Sequence, residues 1–331
     1  MTTVYFATNR KPDPTAAGGY GADIVANEPD AIIYAAADVQ GIALGQEDSG
    51  AIASITDKSP GSFSDAATAA IIGAKKNLLV FIHGFDNTFE DAIKRAAYNR
   101  EWFADVGQAA ADTTVVAFTW PSAGKLIAAP PHMPPEAYLA DQAQAGKSGF
   151  HLTFFLNVLD QLRADYRKAN PNGRIFLLAH SMGNYALQAG VQFWFDSRGS
   201  DDLMFDEVFL PGADEIYDSF ERPNGARLSN LPKLSSRISV YYSRKDVAMY
   251  LSQAINLSLR LGFDGPDDKR DQTQYPPAMF RIVDCTEVKD FDLLSPPDAT
   301  HQYYRRSKVV RRDIAAGMAD DPNPAGGLIQ L

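Results

Sequence analysis

The stretch "RIFLLAHSMGNYALQ", Arg174 to Gln188, carries an apolar run with the look of a strand into Ser181, with Gly183 two residues further on and a helical pattern after it. A serine at the tip of a strand and at the mouth of a helix is the arrangement of a nucleophile elbow, where a tight turn lifts Oγ above the sheet. Strand and helix pass so close there that the positions two before and two after the serine must be small. Here they are Ala179 and Gly183, so the motif reads A-x-S-x-G, with one methyl group more than the usual pair of glycines. A serine that merely caps the following helix would look similar over five residues. The apolar strand before it and "YALQAGVQFW" after it favour the elbow.

Working outward, short β-branched and aromatic runs recur at 3–8, 31–36, 77–83, 113–120, 174–180, 207–211, 237–243 and 279–284. Most from the third onward are apolar on both faces, as strands covered by helices on each side are. Between them "SFSD" (62–65) and "TFED" (88–91) set a hydroxyl three residues before an acid, a helix-start pattern, and "FHLTFFLNVLDQL" (150–162) is apolar almost all round. This alternation predicts an α/β chain, 1–331 as one domain, with a mostly parallel central sheet and helices on both faces. Two excursions interrupt it. One, over 121–147, opens with the proline-rich "PSAGKLIAAPPHMPPEAY" and is expected to line a cleft; the other, 262–277, is polar and turn-rich. The tail from 320 onward is expected to be loosely held.

The chain has 331 residues, 45% of them hydrophobic, enough for a substantial core. Its 31 basic and 41 acidic residues give a net charge of -10, scattered without a long run of one sign, which makes nucleic acid and anionic membrane poor partners. Cys285 is the single cysteine, so neither an intramolecular disulfide nor a cysteine zinc cluster is available. No apolar run approaches the roughly 20 residues of a membrane span, and the start shows no secretory pattern. The expectation is a soluble cytoplasmic protein. "DQAQAGKS" (141–148) ends like a phosphate-binding loop, but Asp141 replaces its first glycine and no strand precedes it.

A serine hydroxyl needs a base, usually a histidine oriented by a carboxylate, and sheets with such an elbow carry them in the chain order Ser, Asp or Glu, His. Of His83, His132, His151, His180 and His301, only His301 follows Ser181. His132 falls in the proline-rich excursion, His151 on the apolar helix reads as a hydrogen-bonded core histidine, and the His180 side chain is expected to point away from the serine. Three aspartates follow later strands: Asp214, Asp246 and Asp284. All lie at the elbow's edge of the sheet. Asp246, which opens a turn before "VAMYLSQAINLSL", is favoured, with Asp214 second. The strand "LLVFIH" ends in His83-Gly84-Phe85, where an HG loop can turn the Phe85 amide toward the site beside that of Met182 as an oxyanion hole. His83, Gly84, Trp120 and His180 are expected around the substrate.

With these motifs assembled, the chain resembles a bacterial, esterase-like α/β-hydrolase family of largely uncharacterised function. The matching marks are "YFATNR" (5–10), "VFIHGFDNTFEDA" (80–92), "FTWPSAG" (118–124), "LLAHSMGNYAL" (177–187), "VFLPGADE" (208–215), "YYSRKDVAMYLS" (241–252), "RLG" (260–262) and the Thr300-His301 pair before two tyrosines. The resemblance implies Ser181 as nucleophile, Asp246 as acid and His301 as base, acting on a small-molecule ester without cofactor or metal. Acyl transfer, amide cleavage and non-catalytic ligand binding are alternatives on the same fold. Such relatives often carry an export or lipoprotein signal, and none is visible here.

Overall fold

The computed structural model describes residues 1–124, 133–198, 202–223, 226–291, 299–319 and 325–331. Its strands are β1 (Thr2–Thr8), β2 (Arg10–Pro12), β3 (Tyr20–Ile24), β4 (Ile33–Gln40), β5 (Ala51–Pro60), β6 (Asn77–Ile82), β7 (Thr113–Thr119), β8 (Ile175–Ala179), β9 (Glu207–Pro211), β10 (Ile238–Tyr242), β11 (Phe280–Asp284) and β12 (Gly327–Gln330). The helices are α1 (Asp65–Ala74), α2 (Phe89–Ala104), α3 (Gln108–Ala111), α4 (Pro135–Ala169), α5 (Gly183–Arg198), α6 (Val247–Asn256), α7 (Leu261–Asp264), α8 (Tyr303–Arg306) and α9 (Lys308–Gly317).

Ten strands make one sheet in the order β12-β11-β10-β9-β8-β6-β7-β1-β4-β5. The pairs from β12 through to β1 are parallel, and β4 and β5 are added antiparallel at one edge. This is the expected α/β-hydrolase architecture. The central strands are buried on both faces because helices cover both. Leu78, Val80 and Ile82 of β6 enter one core, whereas Leu79 and Phe81 enter the other. From β6 the chain steps to β7 on one side, then returns to β8 on the other. The carboxyl ends of β6 and β8 therefore flank the point where strand order reverses, the place where such sheets open a crevice for ligands.

The helix starts differ in detail from their sequence pattern. Thr88 and Asp91 do form a reciprocal capping box at α2, whereas α1 is capped by Ser64, which accepts from the Ala67 amide, two residues later than "SFSD" suggests. The larger difference is α4. Its apolar half at 150–162 is continuous with 135–149, so most of the described part of the 121–147 excursion is helix. "DQAQAGKS" lies wholly inside that helix and forms no loop. Small residues make this possible: a Cβ on Gly149 would fall 2.3 Å from Ala189 Cβ, so α4 and α5 cross almost backbone to backbone. The other excursion buries Tyr275 against Phe220 and Phe280. The tail ends in a paired strand, β12 on β11, so residues 327–330 are tied down contrary to expectation. His132 lies outside the described residues. No helix among those described is long and apolar enough to cross a membrane.

Candidate active site

The turn after β8 holds Ser181 at φ 55°, a left-handed backbone unusual for a residue with a side chain. Such a conformation costs on the order of 1–3 kcal/mol and persists only where its surroundings impose it. Here they do. The Ser181 amide donates to Pro211 O at 3.3 Å, and its carbonyl accepts from the amides of Asn184 and Asp214 and from Asn184 Nδ2. Asn184 Nδ2 also donates to Ala179 O at 2.8 Å, closing strand end onto helix start. A Cβ on Gly183 would fall 2.5 Å from His83 O, which is why this position is glycine. Ala179 is fully buried, and its methyl is accommodated within the core.

His301 and Asp246 come from elements far apart in the chain. Asp246 caps α6: its Oδ1 accepts from the Met249 amide at 3.0 Å, leaving Oδ2 to lie 2.7 Å from His301 Nδ1. The Val247 amide donates to Thr300 Oγ1 at 3.1 Å and so ties the histidine segment to the same helix start. Tyr303 OH donates to Tyr241 O and accepts from the Gly212 amide, fixing the end of β9 beneath the imidazole. Gly212, at φ 54°, leaves room for that ring, since a Cβ there would lie 3.0 Å from His301 Cε1. Ser181 and His301 line one cavity of about 50 Å³ together with Phe85, Met133, Tyr138, Met249 and neighbouring residues.

The other two aspartates are engaged elsewhere. Asp284 accepts from Tyr242 OH and the Thr286 amide. Asp214 also borders the cavity, but its carboxylate accepts from Tyr138 OH at 2.8 Å and Ser252 Oγ at 2.5 Å, with Arg260 Nε 3.5 Å away. It belongs to a buried network that joins α4, α6 and the β9 loop.

The HG loop lies directly against the elbow. A Cβ on Gly84 would fall 2.6 Å from Ser181 Cβ, so only glycine lets the loop pass. Among the described residues, the amides of Phe85 and Met182 take no backbone partner. Asn87 Nδ2 holds the loop by donating to Gly84 O and Phe85 O, while Arg10 donates to Asn87 O and Arg95 to Asn87 Oδ1. The arginine of "TNR" near the amino terminus thus buttresses a loop more than seventy residues later. The Phe85 ring is set between Tyr138, 6.0 Å away by centroids, and Gly124, where a Cβ would fall 2.1 Å from Phe85 Cε2. Asp141 on α4 holds the Gly124 turn by accepting from Ser122 Oγ at 2.6 Å and from the amides of Ala123 and Gly124.

Of the expected substrate-side residues, His180 borders the cavity, whereas His83, Gly84 and Trp120 do not. His83 is buried and stacked on Trp120; its Nδ1 donates to Gly84 O, and its Nε2 accepts from the Trp120 amide. Burial, reinforced by the nearby Arg10 charge, holds this imidazole neutral, as that pairing requires. His180, expected to direct its side chain away from that of Ser181, lies beside the expected base. Its ring packs between His301 and Tyr304, each 4.6 Å away by centroids, and burial, with the neighbouring His301 as a second cause, pushes its pKa well below the usual value. His151 is the core histidine anticipated, bonded to Asn9 Nδ2 and Ala26 O. Arg95, Tyr138 and Gln302 line the cavity without a motif to announce them.

A family model described as an alpha/beta hydrolase of unknown function (DUF900) matches residues 62–315. No curated protein matches the chain. Among solved structures the chain is similar to "The crystal structure of the gene lin2722 products from Listeria innocua", at 10% identity and a TM-score of 0.35, over 76% of this chain and 97% of that one.

Proposed function

The chain belongs to the DUF900 family of α/β hydrolases, whose function is unknown, and on that premise we propose that it is a serine hydrolase cleaving carboxylic esters. The observation that carries this reading is the 2.7 Å contact of Asp246 Oδ2 with His301 Nδ1 beside a cavity that Ser181 also lines. With Nδ1–H held by the carboxylate, His301 Nε2 is the basic nitrogen and can take the Ser181 proton. Oγ then bonds to the ester carbonyl carbon, and the amides of Phe85 and Met182 receive the developing oxyanion. Collapse breaks the bond to the alcohol oxygen, which leaves with the proton from His301. Water, deprotonated by the same imidazole, attacks the acyl carbon; the Oγ–carbon bond breaks, and serine regains its proton. Asp246 stabilises the imidazolium in both halves.

The test is labelling with a fluorophosphonate probe alongside hydrolysis of 4-nitrophenyl acetate. Wild-type protein is expected to label and turn over, with both lost in Ser181→Ala and turnover lost in His301→Ala. Labelling that persists in folded Ser181→Ala sinks the proposal.

A further inference from the structure

The catalytic cavity is too small for a whole ester of any size. About 50 Å³ holds roughly four water-sized groups, and Phe85, Met133, Ala248 and Met249 give it apolar walls. It suits a short acyl group and leaves the alcohol part to lie outside. Arg95, on its wall, points the way out, because Arg95 Nη2 lies 3.9 Å from Asp48 Oδ1, and Asp48 belongs to a separate open cleft of about 610 Å³. That ion pair is long, and the Asp48 side chain is 75% exposed, so it presents little barrier to a substrate crossing it.

The cleft has mixed polarity. Gln46, Glu47, Asp48 and Ser49 face Arg305 and Arg306, with the stacked rings of Tyr98 and Trp102 at its edge. Glu47 is shared: its Oε1 accepts from Arg306 Nε at 2.9 Å, while its Oε2 lies 3.0 Å from Arg305 Nε. Arg305 is only 1% exposed, and among the described residues its Nη1 and Nη2 have no hydrogen-bond partner. Buried guanidinium donors without acceptors are costly, and a cleft that leaves them so has unused capacity for oxygen acceptors. An anionic ligand would meet Glu47 and Asp48; a cationic one would meet Arg305 and Arg306. A neutral, hydroxyl-rich ligand can accept from the arginines and donate to the carboxylates.

We propose that this cleft is the leaving-group subsite and that it takes a neutral polyhydroxylated alcohol of the carbohydrate class, so that the substrate is a short-acyl ester of a saccharide. The chemistry rests on the serine-hydrolase reading, but occupancy of the cleft does not. Binding is therefore measured first, on full-length Ser181→Ala protein, by calorimetric titration with neutral xylo-, cello- and malto-tetraose. Saturable binding of at least one is expected, weakened five- to tenfold by adding Gln46→Ala or Asp48→Ala, both exposed positions. No binding of any of the three, or binding indifferent to both substitutions, overturns the assignment. Turnover is then compared on wild-type protein. 6-O-acetylglucose is expected to exceed hexyl acetate at least tenfold in kcat/KM, and equal turnover of the two overturns the leaving-group assignment. Saccharide binding with no turnover of any acetate, 4-nitrophenyl acetate included, defeats the hydrolase reading and leaves the cleft a saccharide site. Turnover of 4-nitrophenyl acetate without saccharide binding does the reverse.

Discussion

Asp246 serves two partners with its two oxygens: Oδ1 caps α6 through the Met249 amide, and Oδ2 meets His301 Nδ1 at 2.7 Å. The histidine's orientation is thereby tied to a helix start, and the carboxylate cannot rotate away without uncapping the helix. Asp214, a short way along the same edge, is instead saturated by Tyr138 and Ser252 and paired with Arg260.

The two aspartates should consequently respond in opposite ways to the same substitution. Asparagine is as good a helix cap as aspartate, so Asp246→Asn is expected to melt within a few degrees of wild type. It should nonetheless lose about 10⁴-fold in kcat, because the amide cannot hold the imidazole as a carboxylate does. Asp214→Asn leaves the nearly buried Arg260 without its carboxylate and should lose about 3 kcal/mol of stability. Its kcat, measured below the melting transition, should stay within about tenfold. Thermal melts and 4-nitrophenyl acetate kinetics on both variants decide it; the reverse pattern would move the acid to Asp214.

The elbow offers a second contrast. Gly183→Ala places a methyl 2.5 Å from His83 O and 2.8 Å from Ile82 O, both backbone atoms that cannot yield cheaply. A loss of about 1–3 kcal/mol and much slower fluorophosphonate labelling are expected. Ala179→Gly, which restores the commoner motif, should label at the wild-type rate and cost only about 0.5–1 kcal/mol from added chain freedom. Slower labelling in Ala179→Gly would show that the alanine methyl itself shapes the turn.

These contrasts bear on what a sequence can disclose. That Asp246 would meet His301 at a cavity bordered by Ser181 was legible because chain order and strand ends are one-dimensional quantities, and the sheet brings strand ends together at one edge. The parallel core was legible for a similar reason: strands buried on both faces, such as 77–82, read as unbroken apolar runs. The first half of α4 was not, because "PEAYLADQAQAGKSG" meets α5 through small and polar side chains and has no apolar stripe. Strand β5, largely polar and at the sheet's edge, gave no run to notice, and β12 gains its order from β11 and not from its own four residues. Among the supporting side chains, Arg10, Asp141 and Tyr303 act on backbone atoms of distant loops. Such contacts leave no local pattern.

Asp141 tests that last kind of contact. Its carboxylate accepts from Ser122 Oγ and two successive amides, and the turn it holds supports the Phe85 ring. Asp141→Asn retains one acceptor oxygen and turns the other into a donor facing donors. About 2 kcal/mol of stability should be lost, since hydrogen bonds to a charged group are worth roughly 1.5–3 kcal/mol each. If Phe85 supplies an oxyanion donor, kcat should fall about tenfold or more with KM little changed. A rise in KM at constant kcat would mean that the turn shapes substrate binding and not the oxyanion hole.

Glu215 provides a pH-dependent test of stability. It is fully buried, with Oε1 accepting from the Ile216 amide and Arg227 Nη1 at 3.0 Å, while Oε2 has no hydrogen-bond partner among the described residues. Burial raises its pKa to about 7, with Arg227 opposing the rise. The folded state thus binds the proton more tightly than the unfolded chain, whose carboxyl titrates near 4.3. The sign follows: this contribution is fully present below pH 4, declines as pH climbs, and is gone once pH passes about 7. Over that window the loss is on the order of 3–4 kcal/mol at 1.36 kcal/mol per pH unit. Glu215→Gln keeps an oxygen for Ile216 and Arg227 but has no proton to lose. Its stability, read from urea midpoints at intervals from pH 5 to pH 8.5, is expected to gain on wild type as pH rises to about 7 and to hold that gain above it. Parallel curves for the two proteins would show that Glu215 stays ionised throughout and that Arg227 compensates its burial in full.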